Sequence, residues 1–527
     1  MIDAPISLSQ AFPTRSYPYR KRYGDIESAI PIPEMPAGGV YAFRVGLDRM
    51  PVAIADAALA GHGDPFAQAV LVPGHRPLTT RAVLALLADV AGTTASFVVS
   101  DGAQIPYRDA PGLVRDTRFV IAGKTAAGWD VFVSTAAPFD DEDIFLQVLA
   151  WDGAAGTFHF YERRGGSWFW AGESNDALRP DTRGRGPFDS HVNGGMVMKE
   201  LKAPWLHWHS LAQTITSDAF APGDPVLATD LFMARRGGDE LERIVRGAID
   251  RWTRARLDRA LDDRGRIVQP DWLMRQVLSA TSVNIVAAEQ TFAGAGAGAG
   301  DAVLTVPITL FVDADALLNV IGIDPGDAGV PTVTRARYAA AAARTGLHLA
   351  SGDFRVEGDT FFAWPVPERG FEDVTILDHM IRRRWISRRV AAALLMVDFS
   401  NPVGSPAREA LLAQVPTDPV TPAELEAALA RMTGVPDLAL PDDAWEAEYG
   451  RRIGAMLHAV QARIDTDAGL DAMLVLADAR RRAFRRRKLS EFDLTLPRSN
   501  VPDDGPNARL EPDGRVTLDT VAMERPT

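Results

Sequence analysis

Two histidines separated by one residue, His207 and His209 in the run PWLHWHS, are the most chemically suggestive pair in the chain. On extended backbone, residues i and i+2 share a face. Both imidazoles would then point the same way, as adjacent metal ligands must, with Trp208 turned to the other side as an anchor. On a helix the two rings would diverge by about 200° and the pair would fail as a chelate. Pro204 favours the extended reading, because it disfavours helical backbone at Ala203. A third ligand would come from His191 or Glu200, with His159 and Asp189 as further candidates. Two imidazoles and a carboxylate suit iron with open positions for oxygen and substrate. Three imidazoles suit zinc or copper. Haem b on a histidine axial ligand is also compatible, since it needs no cysteine motif. The competing reading is plain: histidines beside tryptophans are often buried rings whose nitrogens are hydrogen-bonded to the fold.

The pair closes a segment, residues 151–210, that concentrates four of the nine histidines and five of the eleven tryptophans. FHFYE and WFW, joined by RRGGS, read as a β-hairpin with a glycine turn. Alternation puts His159 and Tyr161 on the face opposite Phe158 and Phe160. Tyr161, Trp168 and Trp170 would line a pocket for a planar ligand or cofactor, or else form core. RGRGPFDSHVNGG is a loop by composition, and loops on rigid scaffolds commonly carry chemistry. In it, Asp189, Ser190 and His191 are contiguous, which does not make a hydrolase triad: adjacent side chains project apart. Lys199 could act as a base if burial lowered its pKa, although lysines are mostly solvated. Glu200 is the preferred carboxylate, one short connection before the histidine pair. As catalytic residues the sequence thus nominates His191, Glu200, Asp189 and Lys199.

The elements that must position these groups fall into two styles. Residues 1–40 read as an extended arm. From Val40 a series of short apolar runs (YAFRVGL, SFVVSD, RFVIAGKT, WDVFVST, IFLQVLAWD, TFHFYER) predicts antiparallel strands, interrupted by one helix in LTTRAVLALLADVAG capped by Thr79 or Thr80. Residues 239–263 have the apolar spacing of an amphipathic helix, and PDWLMRQVLSATSVNIVAAE continues it. AGAGAGAGD at 293–301 is a linker or loop. Strand-like VLTVPITLFVD and TFFAWPVPE follow, then a helix–turn–helix pair over 371–401. Residues 421–489 read as helical, and the tail from 497 as poorly packed. The expected class is α+β: a β-rich half with one helix, then a mostly helical half. The expected domains are 41–235, 236–420 and 421–496, flanked by the arm and by the tail 497–527.

Composition narrows the chemistry further. There is no cysteine, which excludes disulfides, thiolate zinc sites, iron–sulfur clusters and cysteine nucleophiles. A net charge of -13 disfavours general nucleic-acid binding. No window holds the roughly 20 apolar residues that would span a bilayer, and the first residues lack a secretory signal pattern, so the expected location is cytoplasmic. No phosphate-binding or dinucleotide glycine motif occurs. Three functions compete. The first is a metal- or haem-dependent oxidoreductase centred on His207 and His209 and acting on a small molecule. The second is an assembly protein, a homo-oligomer gripping neighbours through its arm and the Arg-rich run RRRAFRRRK at 480–488. The third is a glycan or ester hydrolase.

Overall fold

The computed structural model describes residues 35–519, apart from 101–104, 114, 116, 198–207, 212–213, 216, 289–301, 352–353, 359–362, 434–440 and 488–497. The Gly/Ala loop and all but the last residues of the arm lie outside the described residues. The chain divides into two units. Unit 1 holds residues 1–100, 116–196 and 222–244; unit 2 holds 101–115, 197–221 and 245–527.

Unit 1 is built on one eight-stranded sheet. Its strands are β1 Val40–Ala42, β2 Val52–Ala53, β3 Thr93–Ser100, β4 Thr117–Lys124, β5 Trp129–Thr135, β6 Leu146–Asp152, β7 Thr157–Arg164 and β8 Ser167–Glu173. They lie in the order β2-β1-β8-β7-β6-β5-β4-β3. From β3 to β8 the chain is an antiparallel meander, which short turn-bounded runs of β-branched and aromatic residues favour. The short β1 then docks parallel to β8. Helix α1, Thr80–Leu87, begins where the Thr79 side chain accepts the Ala82 N–H at 3.2 Å, and it buries Val83 and Leu87.

Strand β7 is buried on both faces over most of its length. On one face, Ala150 of β6 lies opposite His159, and Val148 opposite Tyr161. On the other side of β7, Trp170 pairs with Tyr161 and Trp168 with Arg163. The register slips between Phe160 and Tyr161, so that Ala171 is the extra residue of a bulge. Gly172 beside it has φ 120°, and a Cβ there would meet the Asp176 carboxylate at 2.9 Å and the Phe188 ring at 3.0 Å. Without a side chain at Gly172 the bulge closes, and both tryptophans face the same side as His159 and Tyr161.

Unit 2 is mostly helical and has its own core. Helix α2, Gly238–Arg259, runs across the division at residue 244. It is followed by α3 Pro270–Leu278, α4 Arg335–Arg344, α5 Phe371–Arg382, α6 Arg388–Met396, α7 Pro422–Met432, α8 Asp442–Ile464 and α9 Asp467–Arg487. Among the described residues, four two-stranded ribbons complete the unit: β9 Val283–Val286 with β14 Val366–Arg369, β10 Val303–Thr305 with β11 Thr332–Thr334, β12 His348–Ser351 with β13 Phe354–Glu357, and β15 Asn507–Leu510 with β16 Val516–Asp519. The expected helix pair over 371–401 is present as α5 and α6. Among the described residues, no helix is long and apolar enough to cross a membrane.

Three expectations need correction. The helix read through PDWLMRQVLSATSVNIVAAE stops at Leu278; Val283–Val286 is a strand, because the Asp373 carboxylate captures the Thr281 N–H at 2.8 Å and the next residues pair with β14. The tail is not loose throughout. Leu510 of β15 is 1% exposed, and its backbone is held by Ser400 and Asn401. Finally, part of the Arg-rich run is interior: Arg480, Arg481 and Arg482 are all buried. Arg481 and Arg482 share Asp478, and Arg481 also donates to the Pro365 carbonyl.

Candidate metal centre

A loop from the start of unit 1 packs on the His159 face of the sheet. One helical turn, Asp56–Leu59, leads into Gly61-His62-Gly63-Asp64-Pro65, after which residues 67–71 form a wider turn that buries Val70 and Leu71. Phe66 seats it, fully buried against Tyr161 at 5.1 Å and Trp168 at 4.8 Å between ring centres. Asp64 accepts the Ala67 N–H at 2.9 Å, and Gln68 donates to the His62 carbonyl at 2.6 Å. Gly63 lets the loop approach the sheet: its N–H donates to Asp152 at 2.7 Å, and a Cβ there would stand 2.8 Å from that carboxylate.

This loop brings His62 and Asp64 to His159. Each offers a ligand atom, and these atoms lie within 4.8 Å of one another. The rings of His62 and His159 are 4.7 Å apart and within 9° of parallel, with Trp170 5.2 Å from His62. Asp64 is fully buried, His159 is 6% exposed and His62 is half-buried.

Hydrogen bonds determine where the imidazole protons sit. Tyr161 gives its one hydroxyl proton to Asp64 at 2.6 Å, so toward His62 Nδ1, 3.0 Å away, it can only accept. His62 therefore carries its proton on Nδ1 and presents a lone pair at Nε2. Trp170 Nε1, which can only donate, reaches His159 Nδ1 at 2.9 Å. The Nε2 of neutral His159 then bears the proton. It is buried without a hydrogen-bond partner, and Asp152 is the nearest acid at 3.6 Å.

Burial dominates the ionisation of the cluster. It drives His159 down to about 4, with His62 adding to the effect and Asp152 opposing it. His62 is likewise lowered by burial against the pull of Asp152. Both rings are therefore neutral at pH 7, the form that ligates metals. Burial raises the Asp64 carboxyl to about 6 although Tyr161 and Ala67 donate to it, and it is still largely ionised at neutral pH. Burial, then the adjacent Asp64, pushes Tyr161 well above the usual tyrosine range. Asp152 is penalised by burial too. The N–H groups of Ala155, Gly63 and Ala154, together with His159, outweigh that penalty and hold it below the usual carboxylate range.

Of the residues nominated from sequence, His159, Tyr161 and Trp170 belong to this cluster. Trp168 lies on the same face farther along and donates to the Pro77 carbonyl at 2.9 Å. His191 packs on Phe160, on the opposite face of the sheet from His159, and its Nδ1 lies 2.9 Å from the Gly195 carbonyl. Asp189 is exposed in a single turn, Gly186–Asp189. Lys199, Glu200 and His207 lie outside the described residues, and His209 is half-buried in unit 2 next to a buried Trp208. His62 and Asp64 were missed as ligands because GHGDP reads as a surface turn. The available signal was a histidine between two glycines with an aspartate two residues on. No family model matches the chain, and neither a curated protein nor a solved structure matches it.

Proposed function

We propose that unit 1 is a metal-dependent enzyme unit, binding one divalent transition-metal ion through Nε2 of His62, a carboxylate oxygen of Asp64 and Nε2 of His159. The observation that carries this is the convergence of two neutral imidazoles and one carboxylate within 4.8 Å, with the buried His159 Nε2 making no hydrogen bond and Asp152 3.6 Å away. Two histidines and a carboxylate are the donor set of mononuclear iron oxygenases and also serve zinc, leaving coordination positions for water or substrate. The oxidoreductase expected from the sequence thus stands as a proposal on another set of ligands, of which only His159 was among the candidates. Trp170 would wall the half-buried His62 side, where a small substrate would enter.

The test is metal content and uptake. Full-length protein is stripped with chelator and reconstituted anaerobically with Fe²⁺, Zn²⁺ or Co²⁺, then assayed by elemental analysis and, for Co²⁺, by its visible spectrum. One equivalent per chain is expected, falling to background in His62→Ala and in Asp64→Ala with circular dichroism unchanged. Absence of uptake, or full uptake by both variants, would sink the proposal. A second reading has its own support in the hydrogen-bonded chain from His62 through Tyr161 to Asp64. Without metal, His62 Nε2 would be a general base whose acquired charge is stabilised through Tyr161. Protein that takes up no metal but loses a reaction on Tyr161→Phe would favour it.

A further inference from the structure

Unit 2 has an open cleft lined by Val403, Ala483, Phe484, Ala508, Arg480 and Asp519 among others. Its walls are mainly apolar. Beside Asn507, Arg509 and Asp519 they include Arg480, which is only 5% exposed. One of its terminal nitrogens donates to the Ser400 carbonyl at 3.0 Å and to the Asn401 side chain at 3.3 Å. The other, Nη1, is buried and has no hydrogen-bond partner. A buried guanidinium is ordinarily matched by a carboxylate, because leaving its N–H groups unsolvated is costly. Its neighbours in sequence follow that rule by sharing Asp478.

Arg480 does not. The acid whose field it feels is Asp398, and that carboxylate is already engaged by Arg509 at 3.1 Å, Asn401 at 2.7 Å and Ser405 at 2.7 Å. Burial accordingly lowers the Arg480 guanidinium to about 9, with Asp398 only partly opposing. The site is thus a buried cation with an unpaired donor beside mainly apolar walls, and it calls for a single negative charge carried on an apolar body. Asp519 on the same cleft would repel a second negative charge and could receive an ammonium group.

We propose that this cleft binds a small monocarboxylate with an apolar body, the carboxylate accepting from Arg480 and the body lying against Val403, Ala483 and Phe484. Simple fatty acids and free apolar amino acids share this chemistry. The probes are 4-methylpentanoate, L-leucine (the same skeleton with an α-ammonium) and succinate, titrated into full-length protein by calorimetry and followed by thermal shift. Saturable binding of 4-methylpentanoate or leucine is expected, and the tighter of the two names the source; succinate should bind roughly tenfold or more weakly. Because Arg480→Gln also loses bonds to Ser400 and Asn401, the deciding variant is Ala483→Phe, which fills the cleft and leaves the arginine in place. Binding should weaken by roughly tenfold or more in it. No saturable heat from either monocarboxylate up to about 10 mM, or equal binding by folded Ala483→Phe, overturns the proposal.

Discussion

His159 cannot hold a metal at Nε2 and keep its bond from Trp170. A metal-bound neutral imidazole carries its proton on the other nitrogen, so Nδ1–H would face the indole N–H, donor against donor. Metal uptake should therefore break the 2.9 Å contact, and tryptophan emission should change in step with occupancy. Trp170→Phe removes the competing donor. It should tighten metal binding by about 2- to 10-fold, the equivalent of one hydrogen bond of 0.5–1.5 kcal/mol; calorimetric titration showing equal or weaker affinity would count against the assigned protonation. A second residue makes a prediction about stability. Asp373 in unit 2 is fully buried, and burial, with Glu372 adding and Arg369 opposing, raises its carboxyl to about 7. An unfolded aspartate releases its proton near 3.8. Between those values the folded chain retains a proton that the unfolded chain has lost, so this group's contribution to stability falls as pH rises from about 4 to about 7. Asp373→Asn abolishes that titration. Relative to the parent, the variant should gain about 2–4 kcal/mol between pH 4.5 and 7.5, read from urea unfolding at both pH values; a pH-independent difference would refute it.

At the scale of elements, the centre depends on how closely one loop lies against three strands. Gly63→Ala drives a Cβ to 2.8–2.9 Å from both Asp152 oxygens and must push loop and sheet apart. A loss of about 1–3 kcal/mol is expected, with metal uptake abolished together with it. A urea midpoint and a metal titration on the same preparation check both, and unchanged uptake would mean that the close approach is dispensable. The strands themselves were legible. Period-2 alternation correctly set His159 and Tyr161 against Phe158 and Phe160, because a buried antiparallel strand encodes its faces in every second residue. The partner loop was not legible. His62 and Tyr161 are 99 residues apart, and nothing local in GHGDP says which sheet it will cover. Gly63 looks like turn filler until the Asp152 carboxylate is seen occupying the place of its missing side chain. The bulge at Ala171 was equally silent, since the register of β8 is set by its neighbour.

Across the whole molecule, the overall class followed from pattern: short alternating runs gave the sheet of unit 1, and long amphipathic stretches gave the helices of unit 2. What pattern could not supply was the use of charge. RRRAFRRRK resembles a surface patch in sequence, yet its first three arginines are interior: Arg481 and Arg482 pair with Asp478, and Arg480 donates to the Ser400 carbonyl. The chain end shows the same limit. A polar, proline-bearing tail nonetheless returns as β15–β16, because Asn401 offers both a donor and an acceptor to the backbone of Leu510. Ending the chain after Gly505 removes those bonds, the Ser400 bond to the Leu510 carbonyl at 2.6 Å and a buried leucine. The expected cost is about 2–4 kcal/mol, seen as a lower urea midpoint and faster proteolysis; an unchanged midpoint would show that the hairpin is ornamental.

The division of the chain has a temporal consequence as well. Residues 101–115 and 197–221 belong to unit 2 although they are interleaved with unit 1. During synthesis, which delivers about 5–20 residues each second, both segments leave the ribosome before any of the chain from 245 onward exists. The sheet of unit 1 must therefore assemble while two intervening stretches of chain still lack the rest of their own unit. A gene split after residue 244 would not yield two tidy halves: the first product would carry two stranded pieces of the second.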